Sequence, residues 1–160
     1  MNEIEGKFKV DDFSDIIGKL SGIKPVVTDE ENHVIDLFGL LERGRWLFRL
    51  RRDGRYLLTI KGKDKGTAIN ERFEYEIEIP KVAFILLKTI LPKKCTYLKR
   101  RETYRTGGCN VCLDDVSEVG KFVEIEGPGI GKILLLKEKL GIYSESIRVP
   151  YYKMLMEVRK

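Results

Sequence analysis

The sequence predicts a mainly β protein of the α+β class, an antiparallel sheet curled on itself with short helices packed outside. Two observations carry that expectation. Charged and apolar residues alternate along Glu3-Ile4-Glu5-Gly6-Lys7-Phe8, and the same alternation returns in five later segments. Glycine, proline and polar residues separate these segments at short intervals, as between locally connected strands. Successive side chains of a strand point to opposite faces, so Glu3, Glu5 and Lys7 share one face while Ile4 and Phe8 share the other.

Each element has its own signal. After the first strand, Asp11 or Asp12 can cap a short helix with Phe13, Ile16, Ile17 and Leu20 on one face, ended by Gly22 and Pro25. Residues 33–41 and 45–52 read as apolar-rich strands, and Asp53-Gly54 is a tight turn leading into Tyr56 to Lys61. Gly62 to Asn70 is a polar connection, expected as a mobile loop over a site. From Glu71 to Ile79 the alternation is strict, with Phe73, Tyr75, Ile77 and Ile79 opposing Arg72, Glu74, Glu76 and Glu78. Pro80 opens a helical segment, Val82 to Leu91, which Pro92 closes. Residues 95–105, 109–116 and 121–126 give three more strands, and Ile130 to Leu140 an amphipathic helix stopped by Gly141. The tail from Val149 to Val158 reads as a last helix packed on the barrel through Tyr151, Tyr152, Leu155 and Val158.

A chain of 160 residues with 42% hydrophobic content is expected to form one domain, residues 1–160, with a real core. Glu3 and Glu5 interrupt any leader-like apolar run and no stretch is long enough to span a bilayer, so a soluble, cytoplasmic protein with no membrane partner is expected. Cys95, Cys109 and Cys112 are too few for a disulfide framework, and the lone C-x-x-C lacks the second pair that a zinc site needs. His33 is the only histidine and is expected on the surface, which leaves carboxylate, lysine and arginine chemistry. The net charge of +5 favours polyanions. Its basic residues follow strand periodicity with no block interleaved with aromatics, which argues against nucleic acid. A homodimer is left open.

Collecting the charges that share a face gives seven basic groups (Lys7, Arg49, Arg51, Lys61, Arg72, Lys99, Arg101) and seven acidic ones (Glu3, Glu5, Glu74, Glu76, Asp114, Glu124, Glu126). Cross-strand ion pairs on a solvent face would explain any single strand. The E-x-E pairs on three strands, and the amphipathic helices available to cover the apolar face, favour the enclosed arrangement. Enclosed like charges about 4 Å apart repel by roughly 4 kcal/mol at an effective dielectric of 20, so bound counter-ions become necessary. A neutral cage of this kind suits metal-bound triphosphate, with oxygen ligands for the metal and guanidinium forks for the phosphates.

These residues resemble the CYTH superfamily, the triphosphate tunnel metalloenzymes, which includes class IV adenylyl cyclases and thiamine triphosphatases. Glu3-Ile4-Glu5-Gly6-Lys7 matches the E-x-E-x-K signature. Phe48-Arg49-Leu50-Arg51, Leu58-Thr59-Ile60-Lys61-Gly62 and Arg72-Phe73-Glu74-Tyr75-Glu76 resemble the L-R-x-R, L-T-x-K-G and R-x-E-x-E segments in order. Leu113-Asp114-Asp115-Val116 and the run from Val119 to Glu126 resemble the L-D-x-V and L-G-x-F-x-E-I-E segments.

The resemblance implies an antiparallel barrel of about eight strands whose charged face lines a triphosphate tunnel. It implies Mg²⁺ or Mn²⁺ ligands among Glu3, Glu5, Asp114, Glu124 and Glu126, with Glu74 and Glu76 as further candidates. It also implies phosphate contacts from Lys7, Arg49, Arg51, Lys61, Arg72, Lys99 and Arg101, of which Lys61, Arg49 and Arg51 would serve catalysis. Substrates implied are ATP, thiamine triphosphate or tripolyphosphate, cleaved by water in a triphosphatase or by the ribose 3′-hydroxyl in a cyclase. A non-catalytic nucleotide or polyphosphate binder is the remaining alternative. Ile35-Asp36-Leu37-Phe38-Gly39 departs from the family's D-x-Y-F/Y-D segment, placing Leu37 where some triphosphatases have a tyrosine.

Overall fold

The computed structural model describes residues 2–35, 46–66 and 69–160. Its strands are β1 (Asn2–Val10), β2 (Val26–Ile35), β3 (Leu47–Arg52), β4 (Tyr56–Lys61), β5 (Asn70–Glu78), β6 (Lys93–Thr106), β7 (Cys109–Val116) and β8 (Gly120–Glu126). They close into an antiparallel barrel in the order β1-β5-β4-β3-β2-β6-β7-β8, which places β2 diametrically across from β1. The helices are α1 (Ser14–Lys19), α2 (Lys81–Ile90), α3 (Ile130–Lys139) and α4 (Tyr151–Val158). Among the described residues no helix is long and apolar enough to cross a membrane.

Closure removes the sheet edges and gives every strand one inner and one outer face. The apolar parity faces out and is covered by helices. Phe8, Tyr104, Val111, Leu113, Val123 and Ile125 on the outer wall pack with Ile16 of α1, Leu20 and Ile133 of α3. On the other side Ile35 and Leu50 pack under Phe84 of α2. Helix cover stops short of β5, where the outward Phe73, Tyr75 and Ile77 stay exposed. The Asp53-Gly54 turn forms as expected, with Gly54 at φ 93°, a conformation that costs glycine nothing.

Two expectations are corrected. The second strand is β2, Val26–Ile35, and does not begin at residue 33; positions 36–41 of the expected strand, including Leu37 and Phe38, lie outside the described residues. Consecutive polar residues from Thr28 to His33 hide the alternation, yet β2 pairs with β6 from Val26↔Thr103 to Ile35↔Lys93. His33 is buried rather than on the surface. Its Nδ1 lies 3.0 Å from Thr96 Oγ1 and its Nε2 2.9 Å from Glu31, beneath the edge of Phe84.

The last helix forms as expected and packs on the barrel, and the structure adds its place: α4 lies over one end, against inward-facing residues. Tyr151 packs against the inward Phe122 and Tyr97, with Val34, Val116 and the fully buried Leu155 in the same cluster. An aromatic pair at the head of the helix thus plugs an interior that charges alone would leave open to water. Leu155→Ala should therefore destabilise the fold by about 3 kcal/mol, the usual cost of a buried leucine truncation. Urea denaturation checks this, and a midpoint equal to that of the parent would show that α4 does not anchor the plug.

Candidate functional site

The inward faces enclose a cavity of about 1210 Å³, lined by Glu3, Glu5, Lys7, Arg49, Arg51, Lys61, Arg72, Glu74, Glu76, Lys99, Arg101, Glu124 and Glu126. Every one of these was expected from strand parity. Asp114, the remaining member of that set, is fully buried just beneath them. Parity works here because the barrel is closed, so a strand cannot turn its charged side to solvent.

The carboxylates divide into two groups. Glu3, Glu5 and Glu126 bring one oxygen each within 4.8 Å of one another, and Glu5 and Glu126 are direct cross-strand partners on β1 and β8. Burial, reinforced by repulsion from Glu3 and Glu124, pushes the Glu5 carboxyl above its ordinary value. Burial and the neighbouring Glu124, Glu5 and Glu3 do the same to Glu126, against the pull of Arg101. A carboxyl with a raised folded value favours the fold at low pH and loses that contribution as pH rises, so at neutral pH this crowding is a burden that a divalent cation would relieve. Three carboxylate oxygens packed this closely are a donor set suited to a hard divalent cation.

The other carboxylates are already engaged. Asp114 accepts from Arg101 Nε at 2.6 Å, from Lys99 Nζ at 3.2 Å and from the Tyr151 hydroxyl at 3.0 Å. Glu124 pairs with Arg101 and is held far below the usual carboxylate range, since Arg101, Lys99, Lys7 and Lys61 together overcome its burial. Glu74 lies 2.8 Å from Lys61, and Glu76 accepts from Arg51 at 2.8 Å and from Thr59 at 2.8 Å.

The cations mirror this division. Arg72 reaches Glu3 at 3.1 Å and Glu5 at 2.6 Å, and Lys61 reaches Glu3 at 3.0 Å. Lys7 donates to the carbonyl of Val149 and stands 4.4 Å over the Tyr151 ring, while burial lowers its pKa despite Glu124 and Glu5. Among the described residues, the buried Nε atoms of Arg49 and Arg51 and the amide of Asn32 have no hydrogen-bond partner, Arg51 Nε lying 3.6 Å from the Asp53 carboxylate. Buried donors of this kind are rare in finished structures and are satisfied when an acceptor-rich ligand arrives.

Sequence reasoning missed Glu30, whose strand showed no readable alternation. It is 3% exposed and lies 3.2 Å from Lys99 and 3.6 Å from Arg51, on the wall across from β1. It also missed Arg105, although the parity of Lys99 and Arg101 carried two steps further along β6 would have found it. Trp46 packs edge-on to Phe73 and Tyr56 against Phe84, so both serve the wall rather than the cavity. Cys109 and Cys112 fall on opposite faces of β7, the first in the outer core and the second 3.7 Å from Thr103 Oγ1, and all three cysteines are free thiols. In the polar connection, Asp64 accepts from the backbone of Gly66 and Glu71 and from Arg148 Nε at 2.9 Å, so residues 62–66 are tied down.

With this geometry in place, the CYTH domain model matches residues 1–146 of the chain. The chain belongs to the CYTH family. Among solved structures, the PH1012 protein of Pyrococcus horikoshii aligns at 25% identity with a TM-score of 0.80, over 95% of this chain and 98% of that one. A Hippeastrum protein named for adenylyl cyclase and described as having a dominant triphosphatase activity aligns at 17% identity, TM-score 0.74, over 97% and 95%. A Vibrio parahaemolyticus protein, also named for adenylate cyclase, aligns at 18% identity, TM-score 0.75, over 96% and 97%. A search of curated protein sequences finds no match.

The pH dependence of this CYTH barrel should show Glu30 directly. Burial opposes its charge, but Lys99, Arg101, Arg51 and Arg49 overcome that and hold it at about 2. A depressed carboxyl contributes stability above its unfolded value and loses it as pH falls toward the folded one, here between about 4.5 and about 2, a contribution of about 3 kcal/mol. In Glu30→Gln the loss of stability measured by urea at pH 7 should shrink steadily as pH falls through that window. A constant difference across the window would contradict the assignment.

Proposed function

We propose that this protein is a divalent-metal-dependent enzyme that cleaves a triphosphate held inside the barrel. The observation that carries the reading is the facing of the crowded Glu3–Glu5–Glu126 trio by Lys61, Arg72, Arg49 and Arg51 within one enclosed cavity. Membership of the CYTH family and the triphosphatase activity described for the Hippeastrum relative support it.

Glu3, Glu5 and Glu126 would hold Mg²⁺ or Mn²⁺, and the bound ion would supply Lewis-acid polarisation of the phosphoryl oxygens. Arg72 and Lys61, which pair with Glu3 and Glu5, would then be released to donate to phosphate oxygens. The Nε donors of Arg49 and Arg51, which make no hydrogen bond among the described residues although Arg51 Nε lies 3.6 Å from Asp53, support the same use. Their forks and the Lys61 ammonium stabilise charge that develops on the leaving phosphate, as preorganised donors that need no reorientation during reaction. Attack by a hydroxyl oxygen forms one P–O bond and breaks one P–O–P bridge, whose oxygen keeps the bonding pair as part of the leaving phosphate. The proton lost by the attacking oxygen is released to solvent water, which balances the step. Asp114 and Glu124, already saturated by Arg101, Lys99 and Tyr151, hold the cationic wall in register rather than acting on the substrate.

Incubation with Mg²⁺ or Mn²⁺ and ATP, thiamine triphosphate or tripolyphosphate, followed by product analysis, tests the proposal. Orthophosphate marks attack by water, and cyclic AMP with pyrophosphate marks attack by the ribose hydroxyl. No turnover with any of them would contradict an enzymatic role. Arg49→Ala, Arg51→Ala and Lys61→Ala should each lower kcat by roughly 10²- to 10³-fold while the protein stays folded. Glu3→Gln and Glu126→Gln should raise the Mg²⁺ concentration needed for half-maximal rate, and full activity in excess chelator would remove the metal from the account.

A further inference from the structure

Arg105 stands apart from the other cavity cations. Arg105↔Asn110, Asn110↔Glu126 and Glu126↔Glu5 are successive cross-strand partners on β6, β7, β8 and β1, so Arg105 shares a transverse row with two of the three clustered carboxylates. Its side chain is exposed, lines the cavity, and makes no hydrogen bond or ion pair with any described residue. Arg49, Arg51, Arg72 and Arg101 are each held by a carboxylate. Arg148, the other cavity-lining arginine, is held by Asp64.

The surroundings of Arg105 form a lip. The β6–β7 hairpin turns through Gly107 and Gly108 at φ 60° and 74°, a left-handed pair that excludes side chains and leaves the rim bare beside Arg105. Lys132 on α3 comes over the same turn, with its ammonium 3.5 Å from where a Cβ on Gly108 would stand, and it too is exposed and unpaired among the described residues. The rim residues Arg105, Thr106, Gly107, Gly108, Gly127 and Pro128 offer no aromatic ring on which a base could stack. Free cations flanking a bare turn suit an anionic chain and not a nucleobase.

We propose that this lip is an additional phosphate subsite, which takes the part of a linear inorganic polyphosphate that extends beyond the three phosphates held inside. The inference rests on the triphosphate reading of the cavity and names its substrate class. Each further internal phosphate adds one negative charge to the chain, and Arg105 and Lys132 are the cations placed to meet it. A guanidinium reads phosphate oxygens in pairs, so Arg105 supplies direction as well as charge.

Isothermal titration calorimetry with tripolyphosphate and with tetrapolyphosphate, both in Mg²⁺, tests this in the parent, in Arg105→Gln and in Arg105→Gln with Lys132→Gln. The parent should bind the longer chain more tightly. Arg105→Gln should reduce the ratio of the two affinities by roughly threefold to tenfold, the double variant further, and added salt should erode the preference because the lip is exposed. A ratio that both variants leave unchanged overturns the subsite. So does an equal loss for both ligands, which would make Arg105 part of the inner site. A parent that binds neither ligand removes the triphosphate reading itself, an outcome distinct from either.

Discussion

The structure depends on one constraint: a closed barrel that turns its charges inward must neutralise every one of them. Two unit charges of like sign about 4 Å apart cost roughly 4 kcal/mol at an effective dielectric of 20, and desolvation adds to that. The chain meets the constraint by interleaving. Lys61 sits between Glu3 and Glu74, Arg72 between Glu3 and Glu5, Lys99 between Glu30 and Asp114, and Arg101 between Asp114 and Glu124. Buried ion pairs of this kind stabilise a fold poorly compared with apolar packing. The apolar residues do that work on the outside, beneath α1, α2 and α3, and so the interior is free to be ionic.

An interleaved interior is also an exchangeable one. A divalent cation and a phosphate chain together present the same pairing partners that the side chains now present to each other. Metal can take the carboxylates from Arg72 and Lys61, and phosphate can take the cations from Glu3 and Glu5, with little net change in buried charge. The trio at Glu3, Glu5 and Glu126 is where the interleaving is least complete, since among the described residues Glu126 meets one cation, Arg101 at 3.6 Å, beside the Asn110 amide at 3.5 Å. At the opposite end the aromatic plug of Tyr151, Phe122 and Tyr97 keeps water from screening these interactions.

Much of this was legible in the sequence because strand parity is a strict rule. Residues such as Glu3, Glu5, Arg72, Glu74, Lys99 and Arg101 announce a shared face through spacing alone, and closure turns that shared face into a shared cavity. Parity fails where polar residues run together. Asp29-Glu30-Glu31 conceals that only Glu30 points inward, and the start of β2 was lost with it. Parity also says nothing about partners: Glu3, Glu5 and Glu126 read like Glu74 and Glu124, and only the barrel's shear decides which carboxylates crowd and which meet a cation. The place of α4 was hidden for a similar reason, since Tyr151 and Leu155 mark an apolar face without saying that it enters a barrel end. His33 was misjudged because a single histidine at the end of a polar run gives no hint that Thr96 and Glu31 lie beside it in the fold.

The central claim is that the inward charges form a ligand site and not a self-sufficient ion-pair lattice. Thermal unfolding with Mg²⁺ and tripolyphosphate, set against Mg²⁺ with orthophosphate or sulfate, tests it most directly. A ligand that binds only the folded barrel at a hundredfold excess over its Kd should add about 2.7 kcal/mol. The account predicts a stabilisation of that size for tripolyphosphate and far less for the single anions, which reach only a few of Arg49, Arg51, Lys61, Arg72 and Arg101. Small and equal shifts for all three anions would contradict it.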